Sequence, residues 1–133
     1  MPAVAYLSVD DVLMIHYRAI EEFGGDSGLR DRGLLESAVA MPQSTFGGAD
    51  LHAGLAGKAA AYHFHLCSNH AFVDGNKPVA VTAAEVFLLI NGHELSASDD
   101  EIEELTQGVA GGQLSKDQVT EFFKKLLTES HPA

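Results

Sequence analysis

The residues best suited to chemistry stand together in the nine-residue segment HAFVDGNKP, which begins at His70 and ends at Pro78. An imidazole is a common general base in enzymes, so His70 could remove a proton from a hydroxyl group. The carboxylate of Asp74 has the oxygen ligands that Mg²⁺ prefers. Phe72, an apolar residue between polar ones, is expected to point into the core and anchor the segment. These residue types suit the transfer of a phosphoryl or nucleotidyl group.

Donors for phosphate oxygens follow directly in the same segment. Gly75 allows a tight turn in which successive backbone N–H groups converge, and Lys77 adds a cation beside them. Asn76 is predicted to cap a following helix, whose unpaired N–H groups form an anion site. Gly75, Asn76 and Lys77 are therefore the predicted phosphate-binding residues.

The same residues are also compatible with an ordinary turn that has no catalytic role. In that interpretation Asp-Gly makes the bend, Asn76 only caps a helix, and His70 is merely hydrogen-bonded. The position of the segment favours the catalytic interpretation, because it joins the two most apolar helices of the chain and must lie at one end of the core.

Six helices are predicted, with no confident strand, and together they indicate an all-α, compact bundle. The two helices around the segment are apolar nearly all round, which is typical of the inside of a bundle. Residues 41–50 are predicted to form a loop or a small two-stranded flap. The predicted helices start after Ser8, after Asp31, near Asp50, near Asn76, after Ser98 and after Ser115.

The composition limits which classes of function are possible. The 133 residues form one predicted domain, 1–133, and 19 acidic against 8 basic residues give a formal net charge of -11. No basic stripe is present to replace counterions on nucleic acid, so direct binding of nucleic acid is disfavoured. With Cys67 as the sole cysteine, no signal-peptide pattern and no apolar run of about 18 residues, we expect a cytoplasmic protein without a membrane span.

Other candidate sites in the sequence are weaker. His63 and His65 lie two apart on a predicted helix, so they point about 200° from each other and cannot share a metal ion. Cys67 has no partner and is predicted to be a small buried hydrophobic residue. The segment GGDSGLRD lacks the lysine and serine of a phosphate-binding loop, so a turn between helices is predicted.

At HAFVDGNKP the sequence resembles the Fic/Doc family, and within it the death-on-curing toxin branch. The family pattern is His, any residue, Phe, any residue, Asp or Glu, a small residue, Asn, Gly or Lys, then Arg. Three further segments resemble sequences of this branch: LSVDDVLMIHYRAIEEFGG, GLRDRGLLESAVAMP and VFLLINGHEL. The resemblance therefore extends over nearly the whole chain.

The resemblance implies the Fic/Doc fold and an ATP- and Mg²⁺-dependent enzyme. Most Fic proteins transfer AMP to a protein hydroxyl and have Gly where this chain has Lys77. The Doc branch has Lys there and phosphorylates a threonine of elongation factor Tu, which stops translation. By matching position, His70 would be the base, Asp74 the metal ligand, and Asn76 with Lys77 the phosphate binders. Residues 43–48 would correspond to the flap that aligns the target peptide.

Pro78 departs from the family pattern, because the arginine expected there would offer a guanidinium group to phosphate. Proline is tolerated in the first turn of a helix, so the fold should survive while catalysis is weakened or lost. A catalytically inactive module that still binds an antitoxin is then an alternative to the kinase and to the AMP transferase. The resemblance also implies a separate antitoxin, whose C-terminal segment folds into a groove of the toxin.

Overall fold

The computed structural model describes residues 3–46, 49–50 and 54–129. Six α-helices lie in this part of the chain, and the prediction of an all-α bundle is confirmed. They are α1 (Val9–Phe23), α2 (Arg32–Ala40), α3 (Gly54–Ser68), α4 (Asn76–Ile90), α5 (Asp99–Ala110) and α6 (Lys116–Leu126).

Side-chain caps fix where four of these helices begin. Ser8, Ser98 and Ser115 each accept a hydrogen bond from the backbone N–H three residues later, and the side chain there bonds back to the serine N–H. Asp31 accepts from the N–H of Leu34 in the same way. Each cap satisfies donors that the first turn of a helix leaves unpaired, which is why these starts could be read from the sequence.

The core is built around α3 and α4, the two helices that flank the motif. Tyr62 of α3 is fully buried, its ring lies 5.1 Å from that of Phe87 of α4, and its hydroxyl accepts from the N–H of Leu7 at 2.8 Å. Burial raises the pKa of Tyr62 to about 12. The absence of a polar face on both helices follows from this central position.

Between α2 and α3 the chain makes a single 3₁₀ turn, Met41–Gln43, and then two short strands, β1 (Thr45–Phe46) and β2 (Ala49–Asp50), which pair antiparallel. The small flap predicted for residues 41–50 is therefore present. Residues 47–48, part of the segment expected to align a target peptide, lie outside the described residues.

A second antiparallel pair, β3 (His93–Leu95) with β4 (Leu127–Glu129), was not predicted. It ties the chain just after α4 to the chain just after α6. The N–H of Ser96 extends the pairing by donating to the carbonyl of Leu126 at 2.7 Å. Among the described residues, no helix is both long and apolar enough to cross a membrane.

Candidate functional site

The motif segment connects α3 to α4 and opens on a cavity of about 230 Å³. His70 and the stretch 73–78 line this cavity, together with Cys67 of α3 and Ala110 of α5. His70, Asp74 and the start of α4 thus line one open pocket. The folded chain brings together the residues that were predicted to act together.

The backbone of His70 is held in an unusual conformation. Its φ angle is 50°, the only positive φ at a non-glycine residue in the described part of the chain, and such a conformation costs about 1 kcal/mol or more. Arg30 stabilises it, because Nε donates to the carbonyl oxygen of His70 at 2.7 Å and Nη2 donates to that of Asn69 at 3.3 Å. The imidazole side chain is left exposed at the cavity.

Asp74 is fixed by one oxygen only. Its Oδ2 accepts from the backbone N–H of Asp26 at 2.8 Å, and no hydrogen bond to Oδ1 is found within the described residues. A Cβ placed on Gly25 would lie 3.1 Å from the Cβ of Asp74, so glycine permits this close approach. One carboxylate oxygen is therefore oriented and the other is available to a ligand.

A single carboxylate is a suitable donor set for Mg²⁺ that is also bound to a nucleotide. No group of three or more His, Cys, Asp or Glu side chains that could hold a metal ion occurs in the part of the chain described. Mg²⁺ commonly binds through one or two carboxylates, with substrate phosphates and water completing the coordination. Asp74 fits that mode of binding, in which the protein alone makes no metal cage.

The start of α4 forms a concave set of backbone donors. Gly75 has a left-handed conformation, φ 85° and ψ 11°, and Asn76 then begins the right-handed helix. This sequence of conformations makes consecutive N–H groups converge. No described residue accepts a hydrogen bond from the N–H of Gly75, Asn76 or Lys77, so three donors at the positive end of the helix are left unpaired in residues that line the cavity.

The expected cap is corrected by one residue: Gly75, not Asn76, is the N-cap, and no side chain caps the helix. The amide of Asn76 is used in the turn, since its Oδ1 accepts from the N–H of Phe72 at 3.1 Å and its Nδ2 donates to the carbonyl of Phe72 at 2.9 Å. The side-chain amide of Asn76 is therefore engaged within the turn, and its backbone N–H has no partner among the described residues. The ring of Phe72 is buried and stacks on His16, with 3.7 Å between ring centroids.

Lys77 and Pro78 lie between the motif cavity and a larger cleft. The Nζ of Lys77 donates to Oε1 of Gln107 on α5 at 3.1 Å. Both residues line the small cavity and also a cleft of about 630 Å³ between α4 and α5. Pro78 is the third residue of α4, and the helix continues unbroken to Ile90, so proline is compatible with the fold.

Residues that sequence reasoning missed hold the motif in place. The segment GGDSGLRD, residues 24–31, was interpreted only as a turn between helices, but Leu29 forms an isolated antiparallel bridge with Phe72 of the motif. Val73 N–H donates to the carbonyl of Gly28 at 3.0 Å, and Arg30 N–H donates to that of Ala71 at 2.8 Å. His16 of α1 donates from Nε2 to the carbonyl of Asp74 at 2.9 Å.

The histidines and the cysteine of α3 are buried or partly buried. His63 is 1% exposed and bonds to Thr106, so its role is structural. His65 is partly buried, and burial lowers its pKa. Cys67 is also buried, and burial raises the pKa of its thiol, which makes it a poor nucleophile. The prediction of a buried small hydrophobic residue at this position is confirmed.

Comparison with known proteins agrees with this arrangement. The sequence model of the Fic/DOC family matches residues 6–88, a range that includes the whole motif. Toxin Doc of Mycolicibacterium smegmatis is 50% identical over 95 residues, which cover 71% of each chain. Protein kinase doc of Escherichia phage P1 is 28% identical over 121 residues, 91% of this chain and 94% of the phage protein.

The chain therefore belongs to the Fic/Doc family. Both of these relatives are Doc proteins, and they place the chain in the Doc branch of that family.

Proposed function

We propose that this chain is the toxin of a toxin–antitoxin pair and that it transfers the γ-phosphate of ATP to a protein hydroxyl. The observation that carries the proposal is the convergence, in one cavity, of an exposed imidazole, a half-satisfied carboxylate and three unpaired backbone donors. Phosphoryl transfer depends mainly on positioning and on stabilising charge, and this set can supply both. The names of the two relatives, a toxin and a protein kinase, agree with this activity.

Each residue has a defined part in this reaction. His70 takes the proton of the attacking hydroxyl while a new oxygen–phosphorus bond forms and the bond between the β–γ bridging oxygen and the γ-phosphorus breaks. The N–H groups of Gly75 to Lys77 and the ammonium of Lys77 stabilise the negative charge of the phosphates. Asp74 would hold Mg²⁺, which supplies additional neutralisation of charge on the phosphate oxygens.

Lys77 favours phosphate transfer over AMP transfer, because the resemblance associates lysine at this position with the kinase branch. The target that the resemblance implies is a threonine of elongation factor Tu, and its modification would inhibit translation. An AMP transferase is the alternative, and it differs in which phosphorus atom of ATP is attacked.

Pro78 should weaken the reaction. An arginine at this position would make charge-assisted contacts to phosphate, each of about 1.5 to 3 kcal/mol, which corresponds to about tenfold to a hundredfold in rate. Proline cannot replace that side chain, but it leaves α4 intact. A protein that retains binding and has little or no activity is therefore the second candidate.

Restraint of the toxin would come from a separate antitoxin. The self-inhibitory helix of some Fic proteins has Ser or Thr, three residues, Glu, then Gly or Asn, and no Glu in this chain is followed by Gly or Asn. The cleft between α4 and α5 fits an amphipathic segment, since both apolar residues, Val81 and Ile102, and acidic residues line it. The acidic residues are Glu85, Asp99 and Glu103. Such a segment would place apolar residues in the cleft and basic residues against the carboxylates.

Transfer of label from ATP tests the activity. Purified elongation factor Tu is incubated with Mg²⁺ and either γ-labelled or α-labelled ATP, together with this protein or its Pro78→Arg variant. We expect label from the γ position only, increased by Pro78→Arg and lost on His70→Ala in either form. His93→Ala serves as the matched control, since His93 lies in β3, after the far end of α4.

The remaining outcomes distinguish the alternatives. Label from the α position would identify an AMP transferase. No label from either form would overturn this substrate assignment, and the inactive, antitoxin-binding protein would then be the better proposal.

A further inference from the structure

His16 is the buried contact between α1 and the motif. It is 3% exposed, and its ring lies parallel to that of Phe72, with an interplanar angle of 8°. Its Nε2 is 2.9 Å from the carbonyl oxygen of Asp74. A carbonyl oxygen can only accept, so Nε2 must be the protonated nitrogen of the ring.

The orientation of one peptide group follows from this bond. The peptide between Asp74 and Gly75 is planar and trans, so its N–H points in the direction opposite to its C=O. Because the carbonyl of Asp74 points at His16 in α1, the N–H of Gly75 points away from α1, and Gly75 lines the motif cavity. We propose that His16 is a positioning residue that holds the Gly75 N–H toward the phosphate site, an inference that rests on the proposed function.

Little else in the described part of the chain restrains this peptide. The first backbone bond of α4 runs from the N–H of Val79 to the carbonyl of Gly75, and Pro78 has no N–H that could reach the carbonyl of Asp74. His16 is the one donor to that carbonyl among the described residues. Gly75 itself has no Cβ, so its backbone can adopt several conformations at low cost.

Two substitutions separate the donor of His16 from its stacking. His16→Gln keeps an N–H donor at about the reach of Nε2, whereas His16→Phe keeps the stack on Phe72 and has no donor. Each variant is examined in the full chain by NMR, using the carbonyl ¹³C signal of Asp74 and the amide signal of Gly75. His93→Phe is the matched control, because His93 lies after the end of α4, about 20 Å from its start.

We expect His16→Phe to shift or broaden both signals, and His16→Gln to keep them near the wild-type positions. In titrations with inorganic phosphate, binding read from the Gly75 amide should be about tenfold weaker in His16→Phe and close to normal in His16→Gln. His93→Phe should match the wild type in both measurements. A purely structural role would lower the melting temperature without this selective loss at Gly75.

Unchanged Asp74 and Gly75 signals in folded His16→Phe would overturn the proposal. If His16→Phe fails to fold, the ring ¹⁵N chemical shifts of His16 in the wild type test the proposal instead, because they show which ring nitrogen carries the proton. A proton on Nδ1 instead of Nε2 would also overturn the proposal. Altered signals without phosphate binding to any form, the wild type included, would support the positioning role and refute the phosphate site.

Discussion

The buried histidine of α3 should make this protein sensitive to mild acid. The Nε2 of His63 is 2.9 Å from Oγ1 of Thr106, and that hydroxyl donates to the carbonyl of Ile102 at 2.7 Å. The hydroxyl proton is therefore engaged, and His63 must donate from Nε2. Its Nδ1 has no hydrogen-bond partner within the described residues. The ring of Phe123 lies nearly perpendicular to that of His63, with 5.9 Å between ring centroids. A second proton on this ring would bring an unpaired charge into the core.

The size and sign of the effect follow from the pKa of His63. Burial lowers this pKa from 6.5 to about 4, so below pH 6.5 the unfolded chain takes up a proton that the folded chain does not. The free energy of unfolding then falls as the pH falls, and the stabilisation by neutral His63 is fully present only above pH 6.5. Each pKa unit corresponds to about 1.4 kcal/mol, which gives a loss of about 2 kcal/mol between pH 7 and pH 4.5.

The test compares His63→Gln with the wild type by urea unfolding at pH 7 and pH 4.5. Glutamine keeps a donor for Thr106 and does not titrate, so the variant should lose about 2 kcal/mol less than the wild type on acidification. Thr106→Val is the control, because it removes the acceptor and lowers stability by about 1 to 3 kcal/mol at pH 7 but leaves His63 free to titrate. An equal pH dependence in His63→Gln and the wild type would refute the reasoning.

Two further predictions concern the frame around the motif. Arg30→Met, made in the Pro78→Arg form, should lower label transfer about tenfold or more, because the backbone carbonyl of His70, the proposed base, loses its donor. The control is Arg32→Met in the same form: Arg32 makes an exposed ion pair with Glu36 on α2, so this variant should match the parent. Equal activity of both variants would show that the bond to the loop is irrelevant. Gly25→Ala should lower the free energy of unfolding by more than Gly24→Ala. Both glycines have positive φ, but only a new Cβ at position 25 would contact Asp74. Equal losses of stability for the two variants in urea unfolding would contradict this.

The helices could be predicted because their signals are local. The Ser8 and Ser115 caps need only the residue three positions later, and the apolar sequences of α3 and α4 show directly that both are buried. The pairing of β3 with β4 could not be predicted in this way. Leu95 pairs with Leu127, and nothing within a short window around either residue shows that the other will be beside it.

The same difference applies to the candidate site. Its chemistry was visible because His70, Asp74 and the backbone donors belong to one short segment. The supporting contacts come from far along the chain: Arg30 is 40 residues before His70, and His16 is 58 residues before Asp74. Only the packing of α1 and of segment 25–31 against the motif brings these groups together, so no periodicity or spacing rule could show them.

The phosphate site proposed for this chain would depend more on the main chain than on side chains. The N–H groups of Gly75, Asn76 and Lys77 exist whatever side chain follows them, and Pro78 removes only its own N–H and the guanidinium that the family pattern expects there. Loss of that arginine should therefore reduce the rate of transfer more than it reduces the binding of phosphate. Comparison of phosphate affinity with label transfer in the wild type and Pro78→Arg separates the two effects, because an equal change in both would mean that the arginine contributes to binding alone.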